Sequence, residues 1–132
     1  MIEYSILKLF ITDRNLYNKY GNYLNLQYIK DNYKDIYKLL LIINTYYNKY
    51  NTENISINEL EAHYINNYPI IKEGDRKVLS LLLTNIDNAS ISEPVLDYLR
   101  IHKNRTIAGE IALTAFDVSE GKKSLEDLDN IY

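Results

Sequence analysis

Between Ser92 and Ser119 nothing in the sequence stops a helix. Ser92 has the chemistry of an N-cap, and Glu93 falls in the first turn. Pro94 is tolerated there because first-turn amides lack intrahelical acceptors in any case. The next residues that interrupt the pattern are Ser119-Glu120-Gly121. At about 1.5 Å rise per residue the intervening stretch makes a rod roughly 40 Å long. The ~90 residues before it form a globule with a radius of gyration of only about 12 Å. A helix of that length must project from its own head or cover one whole side of it.

The rest of the pattern is also helical. Ile2, Ile6, Leu9 and Phe10 recur at steps of three and four and predict a first helix to about Ile11. Asp13 then caps a short helix carrying Leu16, Tyr17 and Tyr20, which Gly21 ends as a C-terminal glycine. Leu24 to Ile29 reads as loop with a short turn of helix. Asp31 or Asn32 opens a longer helix to about Tyr50, apolar nearly all round and so central. Asn51 to Asn54 is a polar turn. Ser56 and Glu59 match a capping box, and the helix they open carries Leu60, Tyr64 and Ile65 up to Tyr68-Pro69. Ile70 to Gly74 reads as a connection. Asp75 caps a helix with Val78, Leu79, Leu81, Leu82, Leu83 and Ile86 on it. Ser124 caps a last short helix with Leu125, Leu128 and Ile131. No alternating strand of useful length and no internal repeat occurs. The expected fold is all-α: a small multi-helix globular head at 1–90, then a long helix and a short helix forming a helical hairpin at 91–132, leading toward a linker.

Composition narrows the function. The chain has 132 residues and a net charge of -3, and a protein whose main task is coating nucleic acid is usually strongly basic. Residues 1–50 carry seven Lys/Arg against four Asp/Glu, and residues 51–100 four against eight. This asymmetry speaks to association rather than fold. There is no cysteine, hence no disulfide framework or thiolate metal site. Met1 to Ser5 lacks the basic stretch of a signal peptide. The longest apolar run, Leu39 to Ile43, is far below the ~20 residues a membrane span needs. The expectation is a cytoplasmic protein without membrane contact, in the host cytoplasm if a phage encodes it. Fourteen Tyr and sixteen Asn beside abundant Ile and Lys reflect A/T-rich codons, so tyrosine number alone carries no functional weight.

Catalytic and cofactor chemistry has no foothold. Gly121-Lys122-Lys123-Ser124 is superficially like a phosphate-binding loop, but Phe116 stands where the first glycine belongs and Lys123 where a magnesium-binding hydroxyl belongs. Glu59 and His63 are one helical turn apart and read as an exposed ion pair, since a metal needs three or four converging ligands. His102 lacks an orienting partner for general-base work. The acids Glu59/Glu61 and Glu126/Asp127/Asp129 read as solvated surface. No enzyme activity, cofactor or metal is expected. Arg100, Lys103 and Arg105 around His102 form the one local basic patch, able to make weak contact with a phosphate or an acidic partner.

The long helix carries the feature with most content. Ile107, Ile111, Ala115 and Val118 make one stripe, and Ala108, Ala112 and Phe116 its neighbour. Small residues one turn apart let a second helix approach closely, and Gly109 in the interior costs about 1 kcal/mol relative to alanine unless close packing compensates. These seven residues are the expected oligomer interface; the alternative is that the helix simply packs on its own head.

Glu3-Tyr4-Ser5-Ile6-Leu7-Lys8-Leu9-Phe10-Ile11-Thr12-Asp13 resembles the first helix, ending in an aspartate, of the N-terminal domain of DnaB-type hexameric replicative helicases, especially phage versions. Leu26-Gln27-Tyr28-Ile29 with Tyr33 to Tyr37 is similar to that family's hydrophobic segment and central helix. Ile55-Ser56-Ile57-Asn58-Glu59-Leu60 resembles its next helix start. Tyr98 to Arg105 followed by Ile107-Ala108 is similar to the basic-then-apolar helix that begins the family's hairpin. Ser124 to Tyr132 would be the hairpin's second arm. The likeness spans the chain and rests on order, lengths and apolar spacing; it departs from bacterial members at Tyr68 to Gly74. It implies a collar and scaffolding domain that self-associates as a dimer, or as a hexamer collar in a full-length parent, and docks primase or a helicase loader, with weak or no direct nucleic-acid contact. The ATP-dependent motor would lie C-terminal to it. The other reading is a stand-alone small helical adaptor or regulator, such as a phage encodes, with no helicase link.

Overall fold

The computed structural model describes residues 1–69 and 72–131, and among these every regular element is a helix. In chain order they are α1 (Ile2–Thr12), α2 (Arg14–Tyr20), a 3-10 turn (Gly21–Tyr23), α3 (Leu26–Asn32), α4 (Lys34–Lys49), α5 (Ile57–Asn67), α6 (Glu73–Asp87), α7 (Glu93–Ser119) and α8 (Leu125–Asp129). The all-α head, long helix and short returning helix stand as expected.

Local chemistry sets most boundaries. The Asp13 carboxylate accepts from the amides of Asn15 at 2.9 Å and Leu16 at 3.4 Å, opening α2. In the capping box of α5 the Glu59 amide donates to Ser56 Oγ at 3.1 Å and the Ser56 amide donates to Glu59 Oε1 at 3.0 Å. At the end of α7 Gly121 takes φ +76°, the left-handed conformation that reverses the chain. The Ser124 amide donates to Asp127 Oδ2 at 2.9 Å to start α8.

Three boundaries, and the reason for one glycine, differ from expectation. Leu26–Asn32 is a seven-residue helix where the pattern predicts a loop with a short turn of helix; the Asn25 side chain accepts from the Tyr28 amide and caps it. Asp31 and Asn32 therefore lie inside α3, and α4 begins only after Tyr33. Asp75 lies within the first turn of α6 instead of capping it; Lys72 occupies the cap position, and Glu73 and Asp75 sit at the positive end of the helix dipole. Glu73 and Gly74 thus belong to α6, while Ile70 and Ile71 lie outside the described residues. Gly21 has φ -59°, so left-handed geometry is not why glycine stands there. A Cβ at that position would come within 2.9 Å of the Tyr17 ring, so the residue is small to let the ring lie against the backbone.

The core runs along α4. Leu39, Ile42, Ile43 and Tyr47 are buried there in one core with Leu7 and Phe10 of α1, Leu60 of α5, Leu83 and Ile86 of α6, and Val95 and Leu99 of α7. The head's core thus continues into the first turns of the long helix. Leu41 is exposed, as are Val78 and Leu81 on α6, so α4 is not apolar-buried on all sides.

Candidate interaction surface

α7 is one continuous helix of 27 residues. Its first turns dock on the head through Val95 and Leu99, both in the core. Lys103 Nζ lies over the rings of Tyr20 and Tyr23 at 5.8 and 5.3 Å, which fixes the helix against α2 and the 3-10 turn. Beyond Leu99 the only buried residue of the helix is Thr114, at 7% exposure. α8 folds back against this half, after a turn held by the Lys122 amide donating to the Asp117 carbonyl at 2.9 Å.

The two stripes read from the sequence part company here. Ile107, Ile111 and Val118 are half-buried, in line with buried Thr114. Ala108, Ala112, Ala115 and Phe116 are exposed, Phe116 at 57%. Steps of four, three, four and four from exposed Ile101 through Arg105, Ala108 and Ala112 to Phe116 make a line along the outer side of the helix. The line is apolar except at Arg105. Among the described residues nothing lies within 4 Å of where a Cβ would stand on Gly109, so none of them explains that glycine.

The basic patch is dispersed. Arg100 pairs with Asp97 at 3.2 Å, Lys103 is drawn onto two tyrosines, and Arg105 stands on the outer line of the helix. The half-buried His102 ring lies parallel to that of Tyr98, centroids 6.1 Å apart.

Glu59 and His63 do not form the exposed ion pair expected of them. His63 is only 7% exposed and sits edge-on to Tyr46, ring centroids 5.4 Å apart. Thr45 donates its hydroxyl proton to the Ile42 carbonyl at 3.0 Å, so its oxygen accepts from His63 Nε2 at 2.9 Å. Burial, reinforced by Lys49, lowers the histidine's pKa and favours the neutral ring. Glu59 turns instead to Tyr46, whose hydroxyl donates to it at 2.6 Å. That bond, with those to Ser56, lowers the carboxyl pKa, and it pushes the Tyr46 phenol up to about 12. Tyr46 and Tyr47 are core residues, while Tyr50 is exposed.

Some side chains with clear roles have no local signature. The Arg14 guanidinium donates to the carbonyls of Tyr47 at 2.9 Å and of Tyr50 and Thr52 at 3.2 Å, closing the C-terminal end of α4. The Tyr47 hydroxyl reaches the Phe10 carbonyl at 2.6 Å, and the Ile55 amide the Ile11 carbonyl at 2.7 Å. Lys8 likewise donates to the Asp87 carbonyl at the end of α6. Exposed Leu113, Leu125 and Tyr98 widen the apolar surface of the hairpin; their helical positions were readable, but which side faces out was not. Among the described residues no group of three or more His, Asp or Glu stands close enough to hold a metal ion, and no helix is long and apolar enough to cross a membrane. Compared with protein-family models, curated proteins and solved structures, the chain finds no match.

Proposed function

We propose that this chain is a protein-interaction module: the N-terminal collar and scaffolding domain of a DnaB-type replicative DNA helicase, self-associating through the α7–α8 hairpin and docking primase or a loader. One observation carries the proposal. The long helix carries an outward line of Ala108, Ala112 and Phe116, with exposed Ala115 beside it, that the described residues leave uncovered. Exposed apolar surface of this kind on a small protein marks a contact, and alanines one turn apart admit a second helix at short range. The helicase identity rests on the sequence resemblance, in order and lengths of helices. On this reading the chain itself performs no catalysis, and the motor would be encoded after residue 132.

Phe116→Asp is the more discriminating substitution, because Ile111 on the neighbouring stripe is half-buried, so a charge there disturbs packing within the chain, whereas Phe116 is exposed. Light scattering at tens of micromolar should give a dimer or larger for the wild type and a monomer with unchanged helical circular dichroism for F116D. A monomeric wild type overturns self-association by the isolated domain. Reading the gene past codon 132 tests the helicase part: a phosphate-binding loop after a linker supports it, and a stop codon leaves a stand-alone adaptor.

A further inference from the structure

The open edge of the long helix is complementary to itself when the chain direction is reversed. Residues of an α-helix succeed one another at about 100° around its axis. On that wheel Ile107, Ile111, Thr114 and Val118, the half-buried and buried positions, share one side, and Gly109 and Phe116 stand opposite its middle. Arg105, Ala112, Leu113 and Glu120 flank them, and all six are exposed. In chain order this face runs cation, glycine, alanine, leucine, phenylalanine, carboxylate. Laid antiparallel on a second copy, Arg105 meets Glu120, Gly109 meets Phe116 and Ala112 meets Leu113. One register satisfies all three pairs, because each is centred on the same point, between Ala112 and Leu113.

Charge and shape both select that occupant. Neither Arg105 nor Glu120 takes part in an ion pair among the described residues. The Phe116 ring is 57% exposed, and the space over Gly109 is open among the described residues, so each copy offers both a ring and a place to seat one. A parallel pair in register would instead set Arg105 against Arg105 and Phe116 against Phe116, and leave Gly109 facing Gly109. The antiparallel pair also opposes the two helix dipoles, and it puts the heads, which each helix meets at Val95 and Leu99, at opposite ends. We infer that a second copy binds this face antiparallel, in the register that seats each Phe116 over the Gly109 of the other copy. The inference rests on the self-association proposed above and fixes its direction. Exposed ion pairs add little affinity; here they choose orientation and register, while Phe116, Leu113 and Ala112 supply the burial.

The chain has no cysteine, so introduced thiols report the pairing. Under mild oxidation, Arg105→Cys mixed with Glu120→Cys should give a disulfide-linked dimer of the two. Arg105→Cys alone should not link to itself, because antiparallel pairing holds its two copies roughly 22 Å apart along the axis, too far for a disulfide. In sedimentation equilibrium, Arg105→Glu and Glu120→Arg should each weaken the dimer roughly fivefold, and the double variant should regain the wild-type affinity. Gly109→Leu replaces glycine by a better helix former yet should weaken the dimer roughly tenfold, because the new side chain stands where the ring must sit. Circular dichroism confirms the folding of each variant. Self-linking of R105C, no link in the mixture, or a double variant no tighter than the singles overturns the inference. Any of these beside a dimeric wild type and a monomeric F116D leaves self-association standing, whereas a monomeric wild type overturns both.

Discussion

Among the described residues no fully buried side-chain nitrogen or oxygen lacks a hydrogen-bond partner, and three side-chain partnerships predict measurable effects. The Tyr47 hydroxyl satisfies the Phe10 carbonyl, which has lost its helical partner because the Arg14 amide donates instead to Glu53. Tyr47→Phe leaves that carbonyl unpaired and should cost about 1–3 kcal/mol in urea denaturation, with unchanged helix content; a change under 0.5 kcal/mol would show that water replaces the phenol. His63 titrates in the other sense from a paired, charged histidine. Its folded pKa lies below the ordinary 6.5, so below that pH the unfolded chain binds the extra proton more readily, and stability falls as the pH drops. Glu59, lowered from 4.5, adds a further loss on the acid side of that value. Tyr46 acts on the basic side: raised from 10.0 to about 12, it contributes stability that is present below pH 10 and lost as the pH rises toward 12. Denaturation across pH should therefore show a decline starting near 6.5 in the wild type. In His63→Gln, whose amide can still donate to Thr45, that first decline should be absent.

At the scale of the helix, three glycines that look alike in sequence predict three different outcomes. Gly121 holds a positive φ with open space around it, so Gly121→Ala should destabilise the hairpin turn by roughly 1 kcal/mol. Gly21 lies against the Tyr17 ring in ordinary helical geometry, so Gly21→Ala is destabilising only so far as the ring fails to move. Gly109 has neither constraint, and Gly109→Ala should stabilise the monomeric chain by about 1 kcal/mol through helix propensity. Thermal unfolding of the three variants checks all of this, and a destabilised Gly109→Ala in the monomer would mean that the helix end is not free. The capping residues Asp13, Ser56 and Glu59 were legible because a cap is settled by atoms within three residues of chain. The α3 helix was not, since seven residues with two polar ends read equally as loop until Asn25 and packing of Ile29 decide it.

The whole molecule divides into a head closed around α4 and a hairpin whose outer edge is open. If that edge is the interface, self-association is driven by apolar contact and should be almost insensitive to salt between about 50 and 500 mM, because screening acts on charges and not on buried alkyl groups. Sedimentation over that range checks it; strong weakening by salt would instead point to the charged groups Arg100 and Arg105 as the adhesive. One histidine was misjudged at this scale, for one reason. His63 shares a helix with Glu59 at the spacing of an ion pair, but α5 lies on α4, and the tertiary packing turned the imidazole inward to Thr45 and the carboxylate to Tyr46. Likewise Lys103 was counted with the basic patch until its helix was laid across Tyr20 and Tyr23.

The sequence by itself determined that the chain is helical, where most helices begin and end, and that the one from Glu93 to Ser119 is much the longest. Those properties depend on spacing and on hydrogen bonds between near neighbours. Only the tertiary structure decided which positions of the two apolar stripes are half-buried, Ile107, Ile111 and Val118, and which are left outward, Ala108, Ala112, Ala115 and Phe116, because burial depends on residues distant in sequence. A stripe of alanine and isoleucine looks the same in the one-dimensional pattern whichever neighbour finally lies against it.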